Sequence, residues 1–230
     1  MKKTLLITTS LFLLMLVIAP TLKAQDEEGG SSWDTGLDIY SSYIWRGAKF
    51  GSGPAFQPYV SFATGGFEIG GWGSISASSN EALEMDLYAS YSIGGFSIGL
   101  TDYYFGGDWT SYEMNHFLEP SLSFGIGGFS IAGYYMFLPA TEATEDTPAT
   151  KFGENGDMYF EAGYSFKHVD VALGAGDGQY TSDGKFTVCV ISVGTSKEIP
   201  ITESFALPVS GAVILNPSTG GFFITAGISL

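Results

Sequence analysis

From residue 33 onward the chain repeats one pattern, a stretch of alternating apolar and polar positions followed by a turn signal. A period of two belongs to strands with two unlike faces, and helical periodicity is nearly absent. The pattern predicts twelve strands, over 33–46, 55–64, 67–76, 83–93, 96–105, 116–126, 129–137, 157–166, 169–175, 186–196, 204–215 and 222–230. The expected fold is all-β. An even number of antiparallel strands suits an up-and-down barrel closed on itself, of the kind that spans a bacterial outer membrane.

The connections support that reading. Gly65-Gly66, Gly94-Gly95 and Gly127-Gly128 each precede a Phe and separate two alternating runs, as tight hairpin turns do, because glycine supplies the positive φ those turns need. Lys167-His168 takes the equivalent place in a fourth hairpin. The intervening connections, at 47–54, 77–82, 106–115, 138–156 and 176–185, are longer and polar. Short turns on one rim and long loops on the other are the barrel arrangement, with the short side periplasmic.

Alternation also assigns faces. Phe96, Ile98 and Leu100 oppose Ser97, Gly99 and Thr101, and Leu118, Leu122 and Phe124 oppose Glu119, Ser121 and Ser123. The polar face is rich in Gly, Ser and Tyr and poor in Lys, which fits a wet lumen better than a solvated exterior. Eight carboxylates are expected to turn inward: Asp34, Asp38, Glu68, Glu84, Asp86, Glu119, Glu161 and Asp170. Arg46 joins them as the one basic residue placed within a strand, either shaping a constriction or pairing structurally. Aromatic girdles are expected from Tyr43, Trp45, Tyr103, Tyr104, Tyr135 and Phe137 near the long loops, and from Phe67, Phe96, Phe129 and Phe166 at the short turns. Pro58, Pro120 and Pro208 interrupt proposed strands and predict bulges or shifted boundaries. Asp102 falls in the outward phase, and the strand holding Cys189 has no clear faces.

Composition narrows the function. Residues 1–24 read as a cleaved secretory signal peptide, with basic Lys2-Lys3, an apolar run over 5–18 and Leu22-Lys23-Ala24 before the cut. Residues 25–32 form an acidic, Gly/Ser-rich leader, and 33–230 the barrel. Without Lys2, Lys3 and Lys23, six basic residues face 24 acidic ones, for a formal charge of −18. A surface that anionic disfavours nucleic acid. A single Cys excludes an intramolecular disulfide framework and any Cys-cluster metal site.

The stretch Ser41-Ser42-Tyr43-Ile44-Trp45-Arg46-Gly47, followed by Gly53-Pro54-Ala55-Phe56-Gln57-Pro58, resembles the first hairpin of the TorF-type porin family, a group of conserved hypothetical outer-membrane barrels. The family pattern there is roughly Ser-Asp-Tyr-x-x-Arg-Gly, a short loop, then Pro-Ala-x-Gln. Ser42 stands in place of the Asp and Lys49-Phe50 in place of a Ser-Gln pair, so the chain reads as a divergent member. The resemblance implies a porin-like role.

Enzyme chemistry finds little support. His116 and His168 are the only histidines, and Asn115 beside His116 points to the opposite face of the strand. The sequence reading is therefore a non-enzymatic outer-membrane channel without cofactor or metal. It passes small hydrophilic solutes, prefers cations, and has membrane lipid and the barrel assembly machinery as partners. Glu119 and Glu161, set among small Ser and Gly neighbours, are the expected mid-barrel contributors. A structural or adhesive barrel without an open pore is the alternative, and a barrel hydrolase a more distant one. An inward-folded loop at 138–156 would favour the closed form.

Overall fold

The computed structural model describes residues 30–77, 83–202 and 205–230. The expected signal peptide and most of the acidic leader lie outside the described residues. Fourteen strands and one short helix follow in order: β1 Ser32–Tyr40, β2 Tyr43–Trp45, β3 Ala48–Phe50, β4 Ala55–Thr64, β5 Phe67–Ser76, β6 Leu83–Ile93, β7 Phe96–Tyr104, α1 Tyr112–Asn115, β8 His116–Ile126, β9 Phe129–Phe137, β10 Gly156–Ser165, β11 Asp170–Gly178, β12 Gly184–Pro200, β13 Ala206–Asn216 and β14 Gly221–Ser229. Twelve of them, β1 and β4 through β14, form one closed antiparallel barrel in which chain neighbours pair around the ring. Asp38–Tyr40 of β1 against Gly227–Ser229 of β14 completes the closure.

The polarity of the wall is inside-out relative to a water-soluble protein. Ile69, Leu87, Ile98, Leu122, Phe160, Leu173, Val193 and Ile224 project outward and are exposed. Gln57, Ser61, Ser74, Glu84, Asp86, Ser90, Thr101, Glu119, Ser192 and Thr225 are buried inside. An uncovered apolar band of this kind is compatible with an apolar surround such as a membrane.

The predicted strand over 33–46 is corrected. The wall strand ends at Tyr40, and residues 43–50 make a separate two-stranded hairpin, β2 with β3. The prolines produce neither bulges nor shifts. Pro58 pairs with Leu37 on one side, while the β4–β5 ladder skips from Phe56 to Tyr59 without a change of register. Pro120 likewise pairs with Leu100, and the β8–β9 ladder skips from Leu118 to Ser121. Each ring simply turns its missing donor to the side where the ladder is interrupted. Irregularities lie elsewhere, in the β11–β12 ladder, where the register shifts between Gly176 and Gly178 and again at Cys189. Gly174 pairs with Val190 and Ala175 with Val188, so Cys189 is the extra residue. The slip moves the outward phase from Phe186 to Ile191 and explains why this strand has no continuous faces.

Candidate functional site: a hairpin seated inside the barrel

The centre of the barrel is filled by the chain's own first loop. Its base is fixed to β14, where Ser41 N–H donates to the Ala226 carbonyl at 2.8 Å and Thr225 Oγ1 donates to the Ser42 carbonyl at 2.9 Å. Tyr43 then pairs with Phe50 and Trp45 with Ala48, leaving Arg46-Gly47 as the two-residue tip. Both tip residues have positive φ, 46° and 77°, as a primed turn requires. Arg46 is the only non-glycine residue in that region among the described residues. Gly47 is obligatory for a second reason: a Cβ there would lie 2.5 Å from the Cys189 carbonyl oxygen of the wall.

The tip crosses to the far wall. Arg46 is 2% exposed and Glu119 of β8 is 1% exposed, and the two form a forked pair. Arg46 Nη1 donates to Glu119 Oε2 at 2.6 Å and Nη2 donates to Oε1 at 2.8 Å. Nη1 also donates to the Tyr180 hydroxyl at 2.7 Å, and the Tyr103 hydroxyl donates to Glu119 Oε1 at 2.9 Å. The guanidinium carbon lies 4.3 Å from the Tyr134 ring centre, 4.5 Å from Tyr159, 4.6 Å from Trp45 and 5.3 Å from Tyr180. A planar, weakly hydrated cation is thus held by a carboxylate in its plane and by aromatic faces around it. Further contacts fasten the hairpin's sides, since Tyr43 donates to Glu84 Oε1 at 3.3 Å and Asn216 Nδ2 donates to the Gly47 carbonyl at 3.3 Å. The buried cluster of Trp45, Tyr103, Met136, Tyr159, Tyr180, Cys189, Val190, Ala212 and Ile214 packs around this plug.

The other expected site residues fall as follows. Asp38, Glu84 and Asp86 are buried inside, as is Asp157, which the sequence reading did not assign. Glu161 accepts from Tyr159 at 3.0 Å and Glu68 from Tyr88 at 3.4 Å. Asp34 is exposed, and Asp170, half-buried, begins β11 beside a short turn. Arg46 belongs to the inner hairpin and not to a wall strand. Tyr43, Trp45 and Tyr103 are corrected from girdle to interior, because they pack on the plug. Tyr104 is buried under Trp109 of the loop at 105–111, with ring centres 4.7 Å apart. Phe67, Phe96, Phe129, Tyr135 and Phe166 are exposed on the outer surface, and Phe137 is half-buried against Tyr135. The inward-folded loop is the one after β1; residues 141–149 of the β9–β10 loop are exposed. Tyr180 carried no sequence signal, since it lies in a loop. Tyr134 and Tyr159 did, because alternation places both on the inner face and they pair in register.

These features define a closed twelve-stranded barrel, apolar outside and acidic within, whose lumen holds a tethered hairpin. The chain belongs to a bacterial protein family of unknown function, Gcw_chp, whose family model matches residues 24–202. No curated protein matches the chain.

Proposed function

We propose that this protein is an outer-membrane channel for small hydrophilic solutes, closed at rest by its own β2–β3 hairpin and cation-preferring when the hairpin withdraws. The inverted polarity carries the reading: an apolar exterior calls for lipid, and an acidic interior for water and cations. Residues 1–24 act as the signal peptide that directs export, and the barrel assembly machinery inserts the product. The TorF-type resemblance of the first hairpin agrees with a porin-like role and falls on the segment that forms the plug. The chain is read as non-enzymatic, with no cofactor. Among the described residues no group of three or more His, Cys, Asp or Glu side chains could hold a metal ion.

The forked Arg46–Glu119 pair favours a second reading, a barrel that never opens. Planar-bilayer conductance separates the two. A variant with residues 43–50 replaced by a Gly-Ser linker should conduct, and the intact chain should show rare or smaller openings. Silence from both would establish the closed structural barrel. Recovery of the intact chain as a soluble periplasmic monomer, instead of with outer membranes, would end both readings.

A further inference from the structure

We infer that the space Arg46 fills is a binding site for guanidinium-type cations, occupied at rest by the chain's own side chain and able to exchange it for a free ligand. Most of the enclosure belongs to the wall and not to the plug. Glu119 lies on β8, Tyr134 on β9 and Tyr159 on β10, while Tyr180 follows β11. Only Trp45 among the four aromatic groups around the guanidinium travels with the hairpin. The site that remains offers two carboxylate oxygens spaced for a fork, a hydroxyl beside them, and ring faces at 4.3 Å and 4.5 Å from the cation centre. That set is specific for a planar ion with several N–H donors. An ammonium group cannot satisfy both oxygens in one plane and stack at the same time.

Two further observations point to exchange. The tip carries arginine at φ 46°, a conformation that side chains other than Asn, Asp and Gly adopt at a cost, so backbone strain opposes the clamp that holds it. A tip that had only to turn would carry Asn or Gly. The interior also has unmet acceptor capacity: Glu84 Oε2 and Asp86 Oδ1 are buried and have no hydrogen-bond partner among the described residues. Carboxylate oxygens left without donors favour the approach of a cation that carries them.

The consequence for transport rests on the plugged-channel reading: a small guanidino solute that takes Arg46's place releases the hairpin and is itself the kind of solute admitted. Binding is testable without conduction. Arg46→Ala removes the atoms that ethylguanidinium replaces, so the refolded variant should bind ethylguanidinium at one saturable site by titration calorimetry. Ethylammonium at equal ionic strength should bind at least about tenfold more weakly. Adding Glu119→Gln should abolish the site. Should Arg46→Ala refold poorly, the same titration is read as refolded yield, which ethylguanidinium and not ethylammonium should restore. No saturable binding and no rescue, or equal effects of the two cations, would overturn the inference. A barrel that binds ethylguanidinium yet conducts in no variant keeps the site and loses the channel; one that conducts without binding does the reverse.

Discussion

The Asp102 carboxylate and the His116 ring meet on the outer face of the barrel, with Nδ1 2.9 Å from Oδ1 and 3.0 Å from Oδ2. The opposite ring nitrogen, Nε2, donates to the Trp109 carbonyl at 3.1 Å. Tyr112 stacks on the imidazole at 4.5 Å and Trp109 packs edge-on at 4.6 Å. The carboxylate in the outward phase therefore has a structural use. It anchors the β7–β8 loop as it folds down over the rim.

Removing that anchor should loosen the loop and leave the barrel closed. Asp102→Ala leaves a buried ring nitrogen without its acceptor, at about 1–3 kcal/mol of local stability. Hydrogen exchange at 106–115 should quicken severalfold, with the heat-modifiable gel migration of the barrel unchanged. A lower unfolding temperature for the whole barrel would show that the loop is integral to closure.

The same loop should respond to acid. Asp108 accepts from Thr110 Oγ1 at 2.8 Å, from the Thr110 N–H at 2.9 Å and from Ser111 Oγ at 3.2 Å. These bonds, led by the Thr110 hydroxyl, hold its carboxyl below the ordinary aspartate value. A depressed folded-state pKa gives stability that is present above the unfolded value, near 4, and lost as pH falls through the folded one. Protease sensitivity at 106–115 should rise below about pH 4 in the native chain. In Asp108→Asn the rise over that window should be smaller, leaving what the other carboxylates around the loop, Asp102 and Glu113, contribute.

Breaking the clamp singly should cost far more than replacing it whole. Glu119→Ala leaves the Arg46 guanidinium buried and unpaired, which costs about 3–5 kcal/mol. Arg46→Met with Glu119→Leu removes both charges and keeps the volume, so the pair should retain most of the lost stability. Urea unfolding of the refolded barrel, as a double-mutant cycle, measures the coupling. Additive effects would mean that the two residues do not support each other.

Much of the wall was legible because an apolar outer face and a polar inner face impose strict alternation. The strands at Ala55–Thr64, Phe67–Ser76, Leu83–Ile93, His116–Ile126 and Phe129–Phe137 fall at their predicted bounds. The plug was not legible, for a physical reason. Tyr43, Ile44 and Trp45 continue the alternation of β1, and only the three-dimensional path takes them off the wall. Aromatic residues near strand ends suit a girdle and an interior cluster equally well, so Trp45 and Tyr103 could be placed only once the hairpin was. Nor does period two reveal a single-residue bulge such as Cys189, which appears only as a strand without faces.

The paired turn glycines have unlike jobs. Gly127 has φ 60° and open space around its Cα, whereas a Cβ on Gly128 would lie 2.5 Å from the Ser165 carbonyl oxygen. Asn tolerates the left-handed region, so Gly127→Asn should change stability by only a few tenths of a kcal/mol. Gly128→Ala must push the β10 backbone away and should cost about 1–3 kcal/mol. Equal costs at the two positions, by urea unfolding, would contradict the turn geometry.

Ion preference in any open state should depend on whether the plug is seated. Asp38, Glu84, Asp86 and Asp157 are buried inside, and Glu119 is matched by Arg46 while the hairpin is seated. Glu119 therefore adds little to the field until the guanidinium leaves, while Glu84 and Asp86 keep buried oxygens without donors. Low-dielectric walls focus a field of one sign, so any open state should prefer cations. Arg46→Gln should strengthen the preference by freeing Glu119, and Glu84→Gln with Asp86→Asn should weaken it. Because salt screens over about 10 Å at 0.1 M, the differences should shrink toward 1 M. Reversal potentials across a potassium chloride gradient decide it. An anion preference, or a double variant as selective as the native chain, would mean that these carboxylates do not face the conducting path.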